Sequence, residues 1–89
     1  MNWTIRIPNS AQRELDELPD SVWREAIEAI ADLREDPFPY DSVLLEGHSD
    51  LYRIKFYRNQ YRMVYRVSER QRRVIIVRVR PRGTAYRGL

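Results

Sequence analysis

The residues best suited to chemistry are concentrated in one stretch of the chain, YRIKFYRNQYRMVYR at residues 52–66. Five of these fifteen residues are cationic, four are tyrosine and none is acidic. Alternate side chains of a β-strand point to opposite faces, so strands with this pattern have an aromatic face and a cationic face. Arginine binds phosphate oxygens through two parallel hydrogen bonds. The stretch therefore predicts a phosphate-binding surface that is backed by a hydrophobic core.

Three strands are needed to build such a surface, and the sequence predicts three in succession. They span Tyr52–Tyr57, Tyr61–Val67 and Val74–Arg80, and the first two lie close enough in sequence to form a hairpin. The predicted core face is made of Tyr52, Ile54, Phe56, Tyr61, Met63, Tyr65, Val67, Ile75, Val77 and Val79. The predicted opposite face carries Arg53, Lys55, Arg62, Arg66, Arg78 and Arg80.

The N-terminal half predicts the elements that cover the apolar face of these strands. Residues Trp3–Ile7 alternate between apolar and polar side chains, as in a short strand. Two helices follow, with predicted N-caps at Asn9 or Ser10 and at Asp20 or Ser21. The order β-α-α-β-β-β predicts an α+β fold, in which an N-terminal strand and a helical hairpin precede a three-stranded antiparallel sheet.

The second helix has apolar residues at helical spacing. We expect Trp23, Ile27, Ile30 and Leu33 to pack against the sheet, while the acidic side chains face water. Two prolines in DPFPYD end this helix. A loop, SVLLEGHSD, with Gly47 as its pivot, then leads to the first of the three strands.

The overall composition limits the classes of protein to consider. At 89 residues the chain has room for one domain, residues 1–89, of marginal stability. It has no cysteine and one histidine, so we expect neither a metal site nor another cofactor. No apolar run is long enough to span a bilayer and the N-terminus lacks a secretory pattern. We therefore expect a cytoplasmic protein without a membrane partner.

The net charge of +3 hides a division between the two halves of the chain. Residues 1–50 hold four arginines and twelve acidic residues, a net −8, whereas residues 51–89 hold eleven arginines, one lysine and one glutamate, a net +11. One interpretation is that the second half binds a polyanion. The other is that the acids of the first half neutralise these bases within the fold.

The segments LLEG, LYRIKFYRNQYRMVYRV and VRVRPRGTAY, in this order and spacing, resemble the RelE branch of the RelE/ParE toxin superfamily. The resemblance extends through LDELP and DPFP and covers nearly the whole chain. It implies a compact fold similar to that of microbial RNases, and a toxin that enters the ribosomal A site, cuts mRNA and blocks translation. It also implies a cognate antitoxin, which neutralises the toxin in a complex that binds operator DNA.

The resemblance further implies roles for individual residues. The implied catalytic residues are Lys55, Arg62, Arg80 and Tyr86. The implied RNA-binding residues are Arg53, Lys55, Arg66, Arg78 and Arg82. In this scheme Arg62 contacts the scissile phosphate, Arg80 neutralises the leaving oxygen, and Tyr86 stacks on the substrate or activates it.

Such a site would cleave RNA without a metal. The ribose 2′-hydroxyl attacks the adjacent phosphorus, which gives a 2′,3′-cyclic phosphate and a 5′-hydroxyl end. Arginines can stabilise the charge on the pentacoordinate phosphorus, where each well-placed donor is worth about 10²–10³ in rate. The general base stays open between Tyr86, whose phenolate nearby cations would favour, and Lys55, the only lysine in the chain.

Two other functions fit the same sequence. One is a ParE-like toxin that inhibits gyrase and has no catalytic centre, and the other is an RNA-binding homologue that has lost its activity. The joint presence of the four implied catalytic residues with Arg53 favours the nuclease. Because the chain ends three residues after Tyr86, we expect the C-terminal helix of many relatives to be short or absent. Arg80 and Tyr86 would then lie on a mobile tail that partner binding orders.

Overall fold

A computed structural model describes residues 2–89 and contains two helices and five strands. In chain order these are β1 (Thr4–Arg6), α1 (Asn9–Asp16), α2 (Asp20–Glu35), β2 (Val43–Leu44), β3 (Leu51–Phe56), β4 (Tyr61–Ser68) and β5 (Arg73–Pro81). The predicted α+β fold and the order of its elements are confirmed. No helix among residues 2–89 is both long and apolar enough to cross a membrane.

The sheet is larger than the three antiparallel strands that the sequence predicts. Its five strands lie in the order β1-β5-β4-β3-β2, with β1 parallel to β5 and every other pair antiparallel. The extra strand, β2, has two residues and falls in the predicted loop, because two residues are too few to show an alternating pattern. The pairing of β1 with β5 joins residues about 70 positions apart, which local periodicity cannot reveal.

Both helices begin after a proline rather than at a polar cap. Pro8 and Pro19 occupy the N-cap positions, and neither helix has a side-chain cap hydrogen bond. The proline carbonyls accept the first helical hydrogen bonds, from the backbone N–H groups of Gln12 and Trp23. The predicted caps at Asn9 or Ser10 and at Asp20 or Ser21 are therefore wrong. The fixed φ of proline already orients the chain for the first turn.

The core lies between the two helices and one face of the sheet. On α2, however, the buried stripe consists of Val22, Ala26, Ile30 and Leu33. The prediction that Trp23 and Ile27 face the sheet is wrong, since their side chains are 42% and 38% exposed. The completely buried Ala26 occupies the centre of the stripe, where a small side chain lets the helix approach the sheet.

A β-bulge in β5 changes which residues of this strand reach the core. Val64 of β4 is opposite Arg78, but its neighbour Tyr65 is opposite Ile76, so Val77 has no partner across the β4–β5 ladder. The core residues of β5 are consequently Val74, Ile76 and Val79. The predicted set of Ile75, Val77 and Val79 is correct only for Val79, because a bulge shifts the alternation by one residue.

Candidate active site on the outer face of the sheet

Three cations form a row across the outer face, which is the face of the sheet opposite the helices. Lys55 of β3 pairs with Arg62 of β4, and Arg62 pairs with Arg80 of β5. Directly opposite residues of antiparallel strands lie about 4.5–5.5 Å apart at their Cα atoms. Like charges at this spacing destabilise a sheet. The cationic row, Lys55–Arg62–Arg80, is therefore a feature that folding alone would disfavour.

Two further rows follow on the outer face. Arg53, Val64 and Arg78 form the row next to the cationic row, and Leu51, Arg66 and Ile75 form the row beyond it. All six cations predicted for this face do lie on it. The prediction of a uniformly cationic surface is nonetheless incomplete, since each of these two rows contains apolar residues.

Arg62 is the most deeply placed cation of the face, with only 9% of the residue exposed. Its Nη1 donates to the backbone oxygens of Asn59, at 2.7 Å, and Tyr61, at 3.2 Å. The guanidinium is thus oriented by main-chain carbonyls rather than by a carboxylate. These two contacts hold the guanidinium in a fixed place.

The loop that supplies one of these carbonyls has an unusual backbone. Tyr57, Arg58 and Asn59 have φ angles of 51°, 56° and 64°, in the left-handed region that non-glycine residues seldom occupy. Helix α2 holds the loop from outside: Glu25 Oε1 accepts from the Tyr57 N–H at 3.2 Å, and the Ser21 and Tyr57 hydroxyls are 3.2 Å apart. The strained loop therefore sets the position of Arg62, a role that its RNQ turn sequence did not reveal.

Arg80 is held by a carboxylate that sequence reasoning missed. Its Nε lies 2.6 Å from Glu14 Oε2, while Glu14 Oε1 accepts from the backbone N–H of Val79 at 2.8 Å. β1 pairs with β5 only along Arg73–Ile75, which leaves the following part of that edge open to α1. The interpretation that acids of the first half neutralise bases of the second within the fold therefore holds for Arg80.

Arg66 is the second arginine of the face with an acidic partner. Its Nη1 lies 2.7 Å from Asp50 Oδ1, and both side chains are about 40% exposed. Lys55 and Arg82 are exposed and Arg53 is half-buried, and none of the three forms an ion pair with a carboxylate among residues 2–89. Neutralisation within the fold and an accessible cationic surface thus coexist on the same face.

The C-terminal tail, residues 82–89, covers the middle of the outer face. Arg78 Nη1 donates to the backbone oxygens of Ala85, at 3.1 Å, and Arg87. Ala85 is fully buried, and so are Leu51 and Val64 on the outer face, none of which belongs to the core beneath the helices. Burial and the neighbouring charge of Arg80 lower the pKa of Arg78. In this structure Arg78 is half-buried and anchors the tail, and its predicted role in RNA binding stays a prediction.

Tyr86 lies on this tail, away from the cationic row. Together with Leu45, Glu46, His48 and Leu89 it lines a shallow depression of about 220 Å³. The Leu45 N–H donates to the Leu51 oxygen, and Leu51 precedes Lys55 by four residues, or about 13 Å along the strand. The structure therefore brings Lys55, Arg62 and Arg80 together, while Tyr86 lies beside Leu45, Glu46 and His48.

Comparisons with known proteins agree with this architecture. A sequence model of the family described as "ParE toxin of type II toxin-antitoxin system, parDE" matches residues 5–86. Toxin RelG of Mycobacterium tuberculosis is 30% identical over 88 residues, which cover 98% of this chain and 99% of RelG. This chain belongs to the RelE/ParE toxin superfamily.

Two solved structures place it closer to the RelE branch. The archaeal RelE–RelB complex from Pyrococcus horikoshii OT3 contains a chain that is 30% identical, with a TM-score of 0.79 and coverage of 96% of this chain and 100% of that one. The RelBE2 toxin–antitoxin complex from M. tuberculosis matches with 26% identity, a TM-score of 0.77 and coverage of 92% and 100%. The resemblance to RelE-type toxins is thus confirmed, although the matching family model is named after ParE.

The cationic row gives this RelE-type toxin the parts of a phosphate site. Arg62 offers a buried, fixed positive charge, Arg80 a half-exposed guanidinium oriented by Glu14, and Lys55 an exposed ammonium group. Three donors on adjacent strands can surround the non-bridging oxygens of one phosphodiester. The catalytic and RNA-binding roles implied for individual residues stay predictions.

Proposed function

We propose that this toxin is a ribosome-dependent, metal-independent mRNA endonuclease. The observation that carries the proposal is the cationic row, in which Lys55, Arg62 and Arg80 align across three adjacent strands on one face. This alignment opposes stability, and a bound phosphate would compensate for it. Its dense positive charge matches the transition state of phosphodiester cleavage, in which negative charge builds up on the phosphate oxygens.

In the proposed reaction the ribose 2′-hydroxyl loses its proton and attacks the adjacent phosphorus. The bond to the 5′-oxygen of the next nucleotide breaks, which leaves a 2′,3′-cyclic phosphate and, after that oxygen takes up a proton, a 5′-hydroxyl end. Arg62 stabilises the charged phosphorane from the side of the sheet, and Arg80 neutralises the departing oxygen. The guanidinium keeps its own protons at neutral pH, so the leaving oxygen is protonated by water or by another group.

The position of Lys55 supports it as the group that receives the proton of the 2′-hydroxyl, a role that its neutral amine, which has a free lone pair, would perform and its ammonium form would not. It is already in the cationic row, whereas Tyr86 lies in the depression that Leu45, Glu46 and His48 line. Tyr86 would reach the row only after the tail leaves its depression. Mapped RNA ends should therefore diminish more with Lys55→Gln than with Tyr86→Phe.

The test is to map mRNA ends in a translating extract after adding the purified toxin. Wild-type toxin should produce new 5′-hydroxyl ends within the reading frame, and Arg80→Ala should lower the cleavage rate about 100- to 1,000-fold. Arg24→Ala is the matched control, because Arg24 is exposed on α2 and has no ion pair among residues 2–89. Purified mRNA without ribosomes should stay intact, since the ribosome orients the substrate.

Intact mRNA in the extract at toxin doses that arrest growth would overturn this function. The name of the family model supports one alternative, a ParE-like gyrase inhibitor. That toxin would cause DNA damage without mRNA cleavage, and its growth inhibition would survive Arg80→Ala. Salt-sensitive RNA binding without any products would instead identify a homologue that has lost its activity.

We also propose that a cognate antitoxin covers the outer face. The related toxins from P. horikoshii and M. tuberculosis were solved in complexes with RelB or as RelBE2. Eleven arginines and one lysine in residues 51–89 would attract an acidic or amphipathic segment. The segment should co-purify with wild-type toxin and bind more weakly at high salt. A toxin that expresses freely alone, without arresting growth, would contradict this proposal.

A further inference from the structure

Glu14 makes two contacts that converge on the cationic row from the helical side of the molecule. One carboxylate oxygen accepts from the Val79 backbone N–H at 2.8 Å and the other accepts from Arg80 Nε at 2.6 Å. The two residues are adjacent on β5 but 65 and 66 positions from Glu14 in sequence. A single side chain on α1 thus fixes both the open edge of the strand and the guanidinium that projects from it.

The nitrogen of Arg80 that contacts Glu14 determines which of its other nitrogens remain available to a substrate. Glu14 accepts from Nε, at the base of the guanidinium, and accepts no hydrogen bond from the outer nitrogens Nη1 and Nη2. Nη1 has one long contact, 3.4 Å, to the Thr84 oxygen. Among residues 2–89 no carboxylate accepts a hydrogen bond from Nη1 or Nη2. The end of the fork, which binds phosphate oxygens in parallel, is therefore left for a substrate.

Glu14 also has surroundings that keep it in place. Its side chain is 23% exposed, and that of Arg80 is 33% exposed, so water screens their contact less than at an open surface. The charge of Glu14 also opposes the lowering of the Arg78 pKa that burial and Arg80 cause. A carboxylate at this point thus lessens the repulsion between two neighbouring arginines while it fixes the direction of one of them.

We propose that Glu14 is a positioning residue for RNA cleavage, which aims the outer nitrogens of Arg80 at the scissile phosphate through its contacts with Arg80 Nε and the Val79 N–H. This inference depends on the proposed endonuclease function. Glu14 itself need not touch the RNA. Without its acceptor, the long side chain of Arg80 would sample several rotamers, and a misplacement of about 1 Å can cost about 100-fold in rate.

The variant that tests this role is Glu14→Gln, in programmed ribosomes with mRNA in the A site. Gln has one acceptor oxygen and one NH₂ donor, so either Arg80 Nε or the Val79 N–H loses its partner. We expect the cleavage rate at saturating toxin to fall about 10- to 100-fold, with little change in the half-saturating concentration. Glu17→Gln is the matched control, since it removes the same charge from an exposed residue next to α1.

A double variant separates positioning from general stability. If Glu14 acts through Arg80, then Glu14→Gln should cost nothing further in an Arg80→Ala background. A further tenfold loss there, or an unchanged rate for Glu14→Gln alone while wild type cuts, would overturn the inference and leave the endonuclease function intact. Wild-type toxin that leaves mRNA uncut would overturn the endonuclease function first.

The contact itself can be measured without any cleavage. The Arg80 Nε–H signal in ¹H–¹⁵N NMR spectra, assigned by its absence in Arg80→Lys, should exchange with water more slowly than that of the exposed Arg24. This measurement uses the wild-type protein, so it remains decisive if Glu14→Gln does not fold. Equal exchange rates for Arg80 and Arg24 would mean that Glu14 does not hold Arg80 in solution, and the inference would fail.

Discussion

The two faces of the sheet consist of the same three strands but have opposite effects on the stability of the protein. The helix-covered face carries Ile54, Met63 and Val79, which are almost completely buried. On the outer face, the next residue along each of these strands is Lys55, Val64 or Arg80. One face gains stability from the removal of apolar surface from water, while the other keeps positive charges in register at a cost in stability.

The difference shows how a small protein can keep a destabilising surface. Three arginines of the outer face have acceptors within the fold: main-chain carbonyls at Nη1 for Arg62, a carboxylate at Nε for Arg80, and tail carbonyls at Nη1 for Arg78. The apolar face then supplies the stability that these contacts do not. Substitutions on the first face should therefore alter folding, and those on the second should alter function.

The largest expected effect on folding comes from the helix-covered face. Met63→Ala removes a completely buried side chain and leaves a cavity, so the free energy of unfolding should fall by about 2–5 kcal/mol. Urea unfolding at neutral pH measures this change. The cleavage rate per folded molecule should stay at the wild-type level; a parallel loss of rate would show that the two faces are not independent.

A smaller loss of stability is expected at Val64, a fully buried apolar residue of β4 on the outer face. Val64→Ala should lower the free energy of unfolding by about 1–3 kcal/mol, because Val64 is 0% exposed beneath the tail. Removing residues 85–89 should lower it as well, and should make Val64→Ala nearly neutral. If Val64→Ala costs as much without the tail as with it, the tail does not cover this position.

A buried tyrosine on the helix-covered face should make the stability of the protein depend on pH. Burial raises the pKa of the Tyr65 hydroxyl, which donates to the Pro37 oxygen at 2.8 Å. Above about pH 10 the unfolded chain releases this proton and the native protein retains it, so stability should fall by roughly 1.4 kcal/mol per pH unit. Below that pH both states keep the proton, and Tyr65 contributes no slope.

Tyr65→Phe provides the control for this alkaline slope. The variant should be less stable at neutral pH, because the buried Pro37 oxygen loses its donor, but its stability should decline less steeply above pH 10. Urea midpoints measured between pH 8 and pH 11 would decide the matter. An unchanged slope in Tyr65→Phe would assign the alkaline loss to other groups.

The smallest expected effect has the opposite sign and lies in the cationic row. Lys55→Gln removes a charge that stands opposite Arg62, so the protein should become more stable by about 0.2–1 kcal/mol. RNA affinity should weaken, and its salt dependence should become shallower by about 0.7 in log–log slope if Lys55 contacts one phosphate. A loss of stability in Lys55→Gln would indicate that the row is not under repulsion.

Local sequence patterns predicted the strands and the side of the sheet on which most cations lie. Alternation in β3 and β4 correctly assigned Ile54, Met63 and Tyr65 to the core, because these strands are regular and only one of their faces meets the helices. The same principle failed on β5, where the bulge at Val77 interrupts the period. It also failed on α2, where helical spacing fits Val22 and Ala26 as well as Trp23 and Ile27.

The site was less predictable than the fold, because its order depends on contacts between distant residues. The cationic row could be proposed from the charges of β3, β4 and β5, but its register across three strands could not. Glu14 gave no signal, since an acidic residue on an amphipathic helix normally faces water. The positive φ angles at Tyr57, Arg58 and Asn59 were equally hidden, as glycine is absent from that turn.

The bulge at Val77 separates two properties of a strand that are usually fixed together: which way a side chain faces, and at what angle it is presented. Deleting Val77 would join Ile76 directly to Arg78 in an unbroken alternation, so Arg78 and Arg80 would still face outward. The local twist that bulges impose would be lost, and the guanidinium groups would leave the sheet along a different line. Single-residue insertions and deletions in this strand can thus change the direction in which the arginine side chains extend, without changing any of the toxin's charged groups.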